Sequence, residues 1–153
     1  MSAMDHGPVR AEPSLDPRGV RFSAACTSVV LVLVLLSSSG WLAAAQVVVF
    51  GVASIAGMRF APYGVLYRLL LAPRLAPPAE REDSAPVRFS QTVGLVFTVV
   101  AAAGYLSGLT VLGLIATAFA LVAALLNAVF GFCLGCEMYA LLARLRSPRP
   151  TGA

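Results

Sequence analysis

Two cysteines, Cys133 and Cys136, form the one cluster in this chain whose residue types and spacing suggest chemistry. Residues three apart share one face of an α-helix, so both thiols would be presented together, on the same side as Glu137. If Gly131 ends the preceding apolar stretch, Cys133 lies in the first turn of a new helix, where unpaired amides and the helix dipole favour the thiolate. Glu137 is a nearby carboxylate and therefore opposes ionisation; it is also a candidate proton acceptor or weak metal ligand.

Three chemistries use a pair of thiols at this spacing: thiol–disulfide exchange, carriage of sulfane sulfur and binding of a soft metal. The sequence does not choose among them. For exchange, we expect Cys133 to be the attacking thiol and Cys136 the resolving one. The single histidine, His6, lies in the N-terminal tail and no second pair of this kind exists, which argues against a closed structural zinc site within one chain. Binding of a metal between two chains, or transient binding of Cu(I), remains an alternative. We predict no other cofactor.

A purely structural interpretation of the pair competes with these chemistries. Small side chains let membrane helices pack closely, and the pair lies among Gly131, Gly135 and Ala140. Cys26, about one turn into the first apolar stretch, is either a third thiol that resolves a disulfide with the pair or, as we prefer, a buried small hydrophobic residue. In a reducing cytosol a standing disulfide is not expected, whereas a transient one is allowed.

The composition is that of an integral membrane protein, so the lipid bilayer is its first partner. Apolar residues make up 59% of the 153 positions and charged residues 12%, about half the share in soluble domains. The positive charges are all arginine, which suggests a GC-rich bacterial genome; because they flank apolar stretches, we predict no nucleic-acid partner. No phosphate loop, nucleophile–base triad or metalloprotease motif occurs, and no charged residue lies in mid-membrane, which disfavours ion-coupled transport.

Four apolar stretches predict an all-α membrane protein with four transmembrane helices. Each is close to the roughly 17–25 residues that span hydrocarbon, where only helices satisfy their own backbone. Short uncharged turns at Ser39-Gly40 and Ser107-Gly108 would join them as two tandem hairpins. The stretches are Phe22–Ser39, Trp41–Gly57, Phe89–Tyr105 and Leu109–Phe130. We expect residues 19–146 to form this membrane domain, between a disordered cytoplasmic tail of residues 1–18 and a second disordered tail of residues 147–153.

All eleven arginines fall on one side of this arrangement: the N-terminal flank, the link of residues 58–88 and the C-terminal tail. The positive-inside rule makes that side cytoplasmic, so we predict a multi-pass protein of the bacterial inner membrane with both termini inside. Trp41 and Tyr105 would then lie at the outer interface, where amphipathic rings are enriched. Arg21 and Arg88 are candidate lipid-phosphate sites, but we favour ordinary orientation anchors.

A short internal repeat supports the two-hairpin arrangement. Val20-Arg21-Phe22-Ser23 recurs as Val87-Arg88-Phe89-Ser90, and each copy opens one of the hairpin repeats of about residues 20–71 and 87–145. Two helices per copy preserve orientation, so the repeats are parallel. Pro62-Tyr63-Gly64-Val65 and Cys133-Leu134-Gly135-Cys136 occupy similar places, each before an amphipathic stretch that would lie in the cytoplasmic interface. The second stretch would equally suit a straight continuation of the fourth span.

Few polar residues lie within the predicted spans. Gln46, Gln91 and Asn127 would either line a path or hydrogen-bond between helices, and we favour the second use.

Several of these motifs together resemble the bacterial membrane family DUF4395. They are Asp16-Pro17-Arg18-Gly19-Val20-Arg21-Phe22, Pro62-Tyr63-Gly64, Pro86-Val87-Arg88-Phe89 with Gln91, and Asn127 through Phe132-Cys133-Leu134-Gly135-Cys136-Glu137. The resemblance covers about residues 15–145 and is most specific in the last block. It implies no activity by itself; association of the family with thioredoxin-like proteins and sulfurtransferases implies a sulfur or thiol role and such a partner.

Three functions therefore stay open. The first is exchange of electrons or sulfur between Cys133–Cys136 and a cytosolic thioredoxin-like or sulfurtransferase partner. The second is a non-enzymatic membrane anchor or assembly subunit whose amphipathic segments dock a partner. The third is a small thiosulfate or metal permease, which would be a homo-oligomer because four short helices enclose little volume.

Overall fold

The computed structural model describes residues 14–147, which form six α-helices and no strand. The π-helical turn Val52–Ala56 prolongs the second helix, and short 3₁₀ turns occupy Met58–Phe60 and Ala72–Arg74. The predicted disordered tails lie outside the described residues, except for residues 14–18 and 147. The helices are α1 Pro17–Ser37, α2 Gly40–Gly51, α3 Pro62–Leu70, α4 Ser84–Leu106, α5 Thr110–Phe130 and α6 Leu134–Arg146.

Three of these helices are long and apolar enough to cross a membrane, which suggests a multi-pass membrane protein. They are α1, α4 and α5, of 21, 23 and 21 residues. The apolar helix Gly40–Ala56, formed by α2 and its π-helical turn, is shorter. Large apolar side chains such as Leu36 and Trp41 point outwards, whereas the helix contacts bury small residues such as Ala43 and Ala101. Large apolar side chains on the outside and small residues at the helix contacts are typical of helices that pack in lipid.

Three helix ends have residues suited to those positions. Asp16 precedes α1 and accepts the amide of Arg18 at 2.9 Å, with Pro17 in the first turn. Ser39 caps α2 in the same way, through the amide of Leu42 at 3.2 Å. Gly131 ends α5 with a φ of 67°, a left-handed conformation that glycine adopts without a steric penalty. Helix α6 is therefore separate from α5, not a continuation of it.

The four apolar helices pack with the two halves of the chain interlocked. The most extensive contacts join α1 to α5, α2 to α4 and α4 to α5, while α1 touches α2 less. Each short helix lies on the first helix of its own half: α3 packs on α1, and α6 packs on α4. Helix α1 is thus held mainly by α5 of the other half and by α3, whereas α4 packs on α2 of the other half, on α5 of its own half and on α6.

The repeated sequence motif makes matching contacts in both halves. In the first half, the rings of Phe22 and Tyr67 are 5.9 Å apart and tilted, which fixes α3 on α1. In the second half, the rings of Phe89 and Tyr139 are 5.8 Å apart in a similar tilt, which fixes α6 on α4. Such tilted pairs are a favoured arrangement for aromatic side chains.

The repeated arginines cap helices of the opposite half. Arg21 donates to the carbonyls of Ala128 and Val129, at 3.2 and 3.0 Å, at the C-terminal end of α5. Arg88 donates to the carbonyls of Ser54 and Ile55, at 2.7 and 3.2 Å, at the end of the π-helical turn. A guanidinium satisfies carbonyls that have no intrahelical partner and complements the negative end of the helix dipole.

The segment before α1 is tied to the rest of the fold by Asp16. Its carboxylate accepts the Tyr67 hydroxyl at 2.9 Å and pairs with Arg18 at 3.2 Å. Burial alone would raise the pKa of Asp16, but the hydrogen bonds from Arg18 and Tyr67 outweigh it and lower that pKa. Leu15 and Glu82 form an isolated antiparallel bridge, which brings the start of α1 close to the start of α4.

Gly135 brings the backbone of α6 against α4. A Cβ on Gly135 would lie 2.6 Å from both the Cα and the Oγ of Ser90, a separation that real Cβ atoms do not show. Glycine is therefore required here for the approach of the two helices. Gly64, at the corresponding place in α3, has no such restriction, since its nearest neighbour would be the Ala61 Cβ at 3.7 Å.

We predict that Gly135→Ala lowers the free energy of unfolding by about 1–3 kcal/mol, because the added methyl group meets backbone that cannot move aside. Thermal denaturation in detergent, followed by circular dichroism, measures the effect. Gly64→Ala is the matched control and is expected to be neutral or slightly stabilising, since alanine favours a helix. Equal melting temperatures for Gly135→Ala and the wild type would show that the helices are not in this contact.

Candidate functional site: the Cys133–Cys136 pair

The break between α5 and α6 places Cys133 at a helix start. After Gly131, the amides of Gly131 and Phe132 bond to the carbonyls of Asn127 and Leu126, which completes the end of α5. The chain then turns, and Cys133 becomes the residue that caps α6. Of the two alternatives that the sequence left open, a new helix or a straight continuation of the fourth span, the structure has the new helix.

The Cys133 sulfur acts as the side-chain cap of α6. The amide of Cys136 donates to Cys133 Sγ at 3.3 Å, and the amide of Glu137 donates to the Cys133 carbonyl at 3.0 Å. A sulfur in this position faces unpaired amides and the positive end of the helix dipole, both of which favour its ionised form.

The two sulfurs are joined as a disulfide, and their Cα atoms are 5.2 Å apart. This separation lies within the range of about 4.4–6.8 Å that disulfides require, so the pair closes without displacing the backbone of α6. Both residues are half-buried, and the pair therefore lies at the rim of the fold. The backbone therefore permits a disulfide at this pair, and that the bond is transient in the cytosol stays a prediction.

Ser90 is the neighbour of the pair that the sequence analysis missed. Its hydroxyl lies 3.4 Å from Cys133 Sγ, and it is the residue against which Gly135 packs. The available signal was its place in the repeated motif, where Ser23 is its counterpart and bonds to its own helix, at the Gly19 carbonyl.

Glu137 and Cys26, the other two candidate site residues, do not take part in the contact between Cys133 and Ser90. Glu137 is exposed, and within residues 14–147 its carboxylate makes no hydrogen bond or ion pair, so its role as a proton acceptor stays a prediction. Cys26 is a free, half-buried thiol on α1. Its role as a third, resolving thiol also stays a prediction. Among the described residues no group of three or more histidine, cysteine or acidic side chains is placed to hold a metal.

A cavity of about 250 Å³ opens beside the pair, between α1, α4, α5 and the start of α6. Most of its wall is apolar and includes three phenylalanine rings. Polar side chains also line it: Ser23, Thr27, Ser90, Gln91, Asn127 and Cys133. Cys133 is thus accessible from inside the bundle as well as from the rim.

The three polar amides of the predicted spans divide into two kinds. Gln46 is buried, accepts the Tyr63 hydroxyl at 2.9 Å and donates to Thr27 at 3.5 Å, so the predicted hydrogen bonding is confirmed there. Gln91 and Asn127 line the cavity instead, and their side chains form no hydrogen bond within the described part of the chain. For these two, the favoured hydrogen bonding between helices is not seen in the described residues, and the alternative that they line a path stays a prediction.

The sequence around these elements matches a known family. The family model described as Domain of unknown function (DUF4395) matches residues 15–144. The chain belongs to the DUF4395 family. The match spans both copies of the repeat, the cavity wall and the Cys133–Cys136 pair, so the resemblance stated from the motifs is confirmed. No curated protein and no solved structure matches the chain. The site of this DUF4395 protein is therefore interpreted from its own geometry.

After reduction, Cys133 should be alkylated at least about tenfold faster than Cys26 at pH 7, because the α6 amides favour its thiolate. The rates are measured in membranes on two variants that each retain one thiol. Cys26→Ser/Cys136→Ser retains Cys133, and Cys133→Ser/Cys136→Ser retains Cys26.

The variant Cys26→Ser/Cys133→Ser, which retains Cys136, is the internal control for access at the rim. Similar slow rates for all three thiols would contradict activation by the helix start and favour the purely structural interpretation of the pair.

Proposed function

We propose that this DUF4395 protein exchanges electrons or sulfane sulfur with a cytosolic partner through Cys133 and Cys136. The observation that carries the proposal is the hydrogen bond from the Cys136 amide to Cys133 Sγ, in a pair whose backbone already permits the disulfide. The combination of a stabilised thiolate and an adjacent second thiol is what exchange chemistry requires.

In disulfide exchange, the Cys133 thiolate attacks one sulfur of a partner disulfide. A mixed disulfide forms and the partner's other sulfur leaves as a thiolate. Cys136 then attacks Cys133 Sγ, which closes the pair and releases the second partner thiolate. The same steps in reverse oxidise a partner dithiol.

In sulfur transfer, the Cys133 thiolate attacks the outer sulfur of a partner persulfide. Cys133 becomes the persulfide and the partner leaves as a thiolate. Attack by Cys136 on the inner sulfur of Cys133 would release hydrosulfide and close the pair. Both reactions use Cys133 first and Cys136 second, and both suit a thioredoxin-like or sulfurtransferase partner.

We further propose four membrane spans in two tandem hairpins, with α2 and its π-helical turn as the shortest span. The contact of Arg21 with Val129 supports the start of α1 and the end of α5 being at one face. The contact of Arg88 with Ile55 supports the same for the start of α4 and the end of α2. The Leu15–Glu82 bridge joins the two groups, so this arginine-bearing face would be the cytoplasmic side of the bacterial inner membrane.

Reporter fusions test this orientation in bacteria. A periplasmic phosphatase fused after Ser38 or Gly108 should be active, and a fluorescent protein fused after Arg74 should be fluorescent, because only the first two positions are expected outside. Phosphatase activity after Arg74 would overturn the four-span arrangement.

We predict that Cys136→Ser accumulates a mixed disulfide between Cys133 and a partner, because the thiol that would release the partner is gone. The adduct is detected in membranes as a band that disappears on reduction, and mass spectrometry of the band identifies the partner. Cys26→Ser/Cys136→Ser is the matched control and should retain the adduct.

Loss of the adduct in Cys133→Ser/Cys136→Ser is required by this mechanism. An adduct that persists in that variant would pass through Cys26 and contradict the assigned order. Normal partner association by the same variant, without any adduct, would favour the anchor instead, whose docking surface would include the exposed Leu141 and Leu145 of α6.

A further inference from the structure

The cavity beside Cys133 is suited to a neutral ligand. Apart from Cys133, none of the described side chains that line it is titratable. An anion such as thiosulfate would lose its hydration on entering this wall and would find no positive side chain there. Burying an unpaired charge in a low-dielectric site is strongly unfavourable. Away from the Cys133 end, this wall is therefore suited to an uncharged ligand.

Two side-chain amides offer this ligand unused hydrogen-bond donors. Gln91 on α4 and Asn127 on α5 both line the cavity, and neither amide is hydrogen-bonded within the described residues. An amide NH₂ group donates two hydrogen bonds and is suited to carbonyl oxygens. Two other polar groups of the wall already have hydrogen-bond partners. The Ser23 hydroxyl donates to a carbonyl of its own helix, and the Thr27 hydroxyl accepts a hydrogen bond from Gln46.

The remainder of the wall favours a flat ring. Phe50, Phe97 and Phe119 line the cavity, and the last two rings are 6.1 Å apart in a tilted pair. The lining residues of α5 extend from Phe119 to Asn127, which is about 12 Å along the helix. Helices α4 and α5 are among those apolar enough to cross a membrane, so a lipid-soluble ligand suits a cavity whose wall they form.

We infer that this cavity binds a lipid-soluble quinone, whose carbonyl oxygens accept hydrogen bonds from Gln91 and Asn127. The inference rests on the proposed exchange function and supplies its electron acceptor. A quinone is neutral, flat and lipid-soluble, and it takes up two electrons, the number that a dithiol releases when it becomes a disulfide.

The reaction balances without a further oxidant. The Cys133 thiolate adds to a ring carbon of the quinone, and the Cys136 thiolate attacks Cys133 Sγ. The S–S bond forms, the C–S bond breaks and its electron pair remains on the ring. Two protons, equal in number to those lost by the two thiols, convert the ring to the hydroquinone. A cytosolic dithiol partner then reduces the disulfide again by exchange.

The test uses the full chain, purified in detergent, reduced with dithiothreitol and freed from it. Decylubiquinone is added, and both its ultraviolet absorbance and the number of alkylatable thiols are followed. We expect one quinone to be reduced for each pair oxidised, with two thiols lost. Cys133→Ser/Cys136→Ser should reduce none.

Variants of the cavity separate quinone binding from thiol chemistry. For each variant, the rate at which a low concentration of decylubiquinone oxidises the Cys133–Cys136 dithiol is measured. This rate is divided by the rate of oxidation by diamide, a soluble thiol oxidant. Gln91→Leu and Asn127→Leu should lower this ratio about tenfold, and Ala124→Phe, which fills the cavity, should lower it further. Thr92→Val, exposed on α4 beside Gln91, is the matched control and should keep the wild-type ratio.

Two outcomes overturn the inference while the proposed function survives: diamide oxidises the pair but decylubiquinone does not, or Ala124→Phe and Gln91→Leu both keep the wild-type ratio. A cavity that merely holds a lipid chain would give the second outcome. If neither diamide nor dithiothreitol interconverts the dithiol and the disulfide, the exchange function fails, and the quinone inference fails with it.

Discussion

The contact of Gly135 with Ser90 is the constraint on which the site depends. It holds the start of α6 on α4 at a separation that excludes any side chain. Gly131 makes the contact attainable by ending α5 in a left-handed conformation, so that the chain turns before Cys133. The same approach brings Cys133 Sγ to 3.4 Å from the Ser90 hydroxyl and into the wall of the cavity. If α5 continued straight past Gly131, each further residue would lie about 1.5 Å farther along the helix axis. Cys133 and Cys136 would then contact neither Ser90 nor the cavity.

The two halves of the chain use one framework for different purposes. In both, an aromatic pair fixes a short helix on the helix that opens the half, and an arginine caps a helix of the opposite half. In the first half, Tyr63 of the short helix reaches Gln46 and satisfies a buried amide. In the second half, the short helix begins with two cysteines and faces a cavity. The first half therefore satisfies its buried amide at this place, whereas the second half places a cysteine pair beside a cavity.

Local signals in the sequence were sufficient for much of this fold. Hydropathy predicts the apolar helices, whereas the sequence left open whether Gly131 ends the fourth span or α6 continues it. The start of α1 lies earlier than the apolar stretch suggests, because Asp16 and Pro17 begin a helix whatever its hydropathy. Ser90, the capping by Arg21 and Arg88, and the cavity were not predictable. Each of these features depends on which helices are neighbours in the folded chain. A short repeated motif does not specify those neighbours.

We propose that Cys133 and Cys136 form a reversible redox couple at the start of α6. The most direct test of this proposal is the fraction of the pair in the disulfide form across a series of glutathione redox buffers, measured by the mass added on alkylation. We expect a two-electron transition with a midpoint potential in the range of exchange-active pairs, about −270 to −120 mV. A pair that stays fully reduced in every buffer, or one that no buffer reduces, would contradict it.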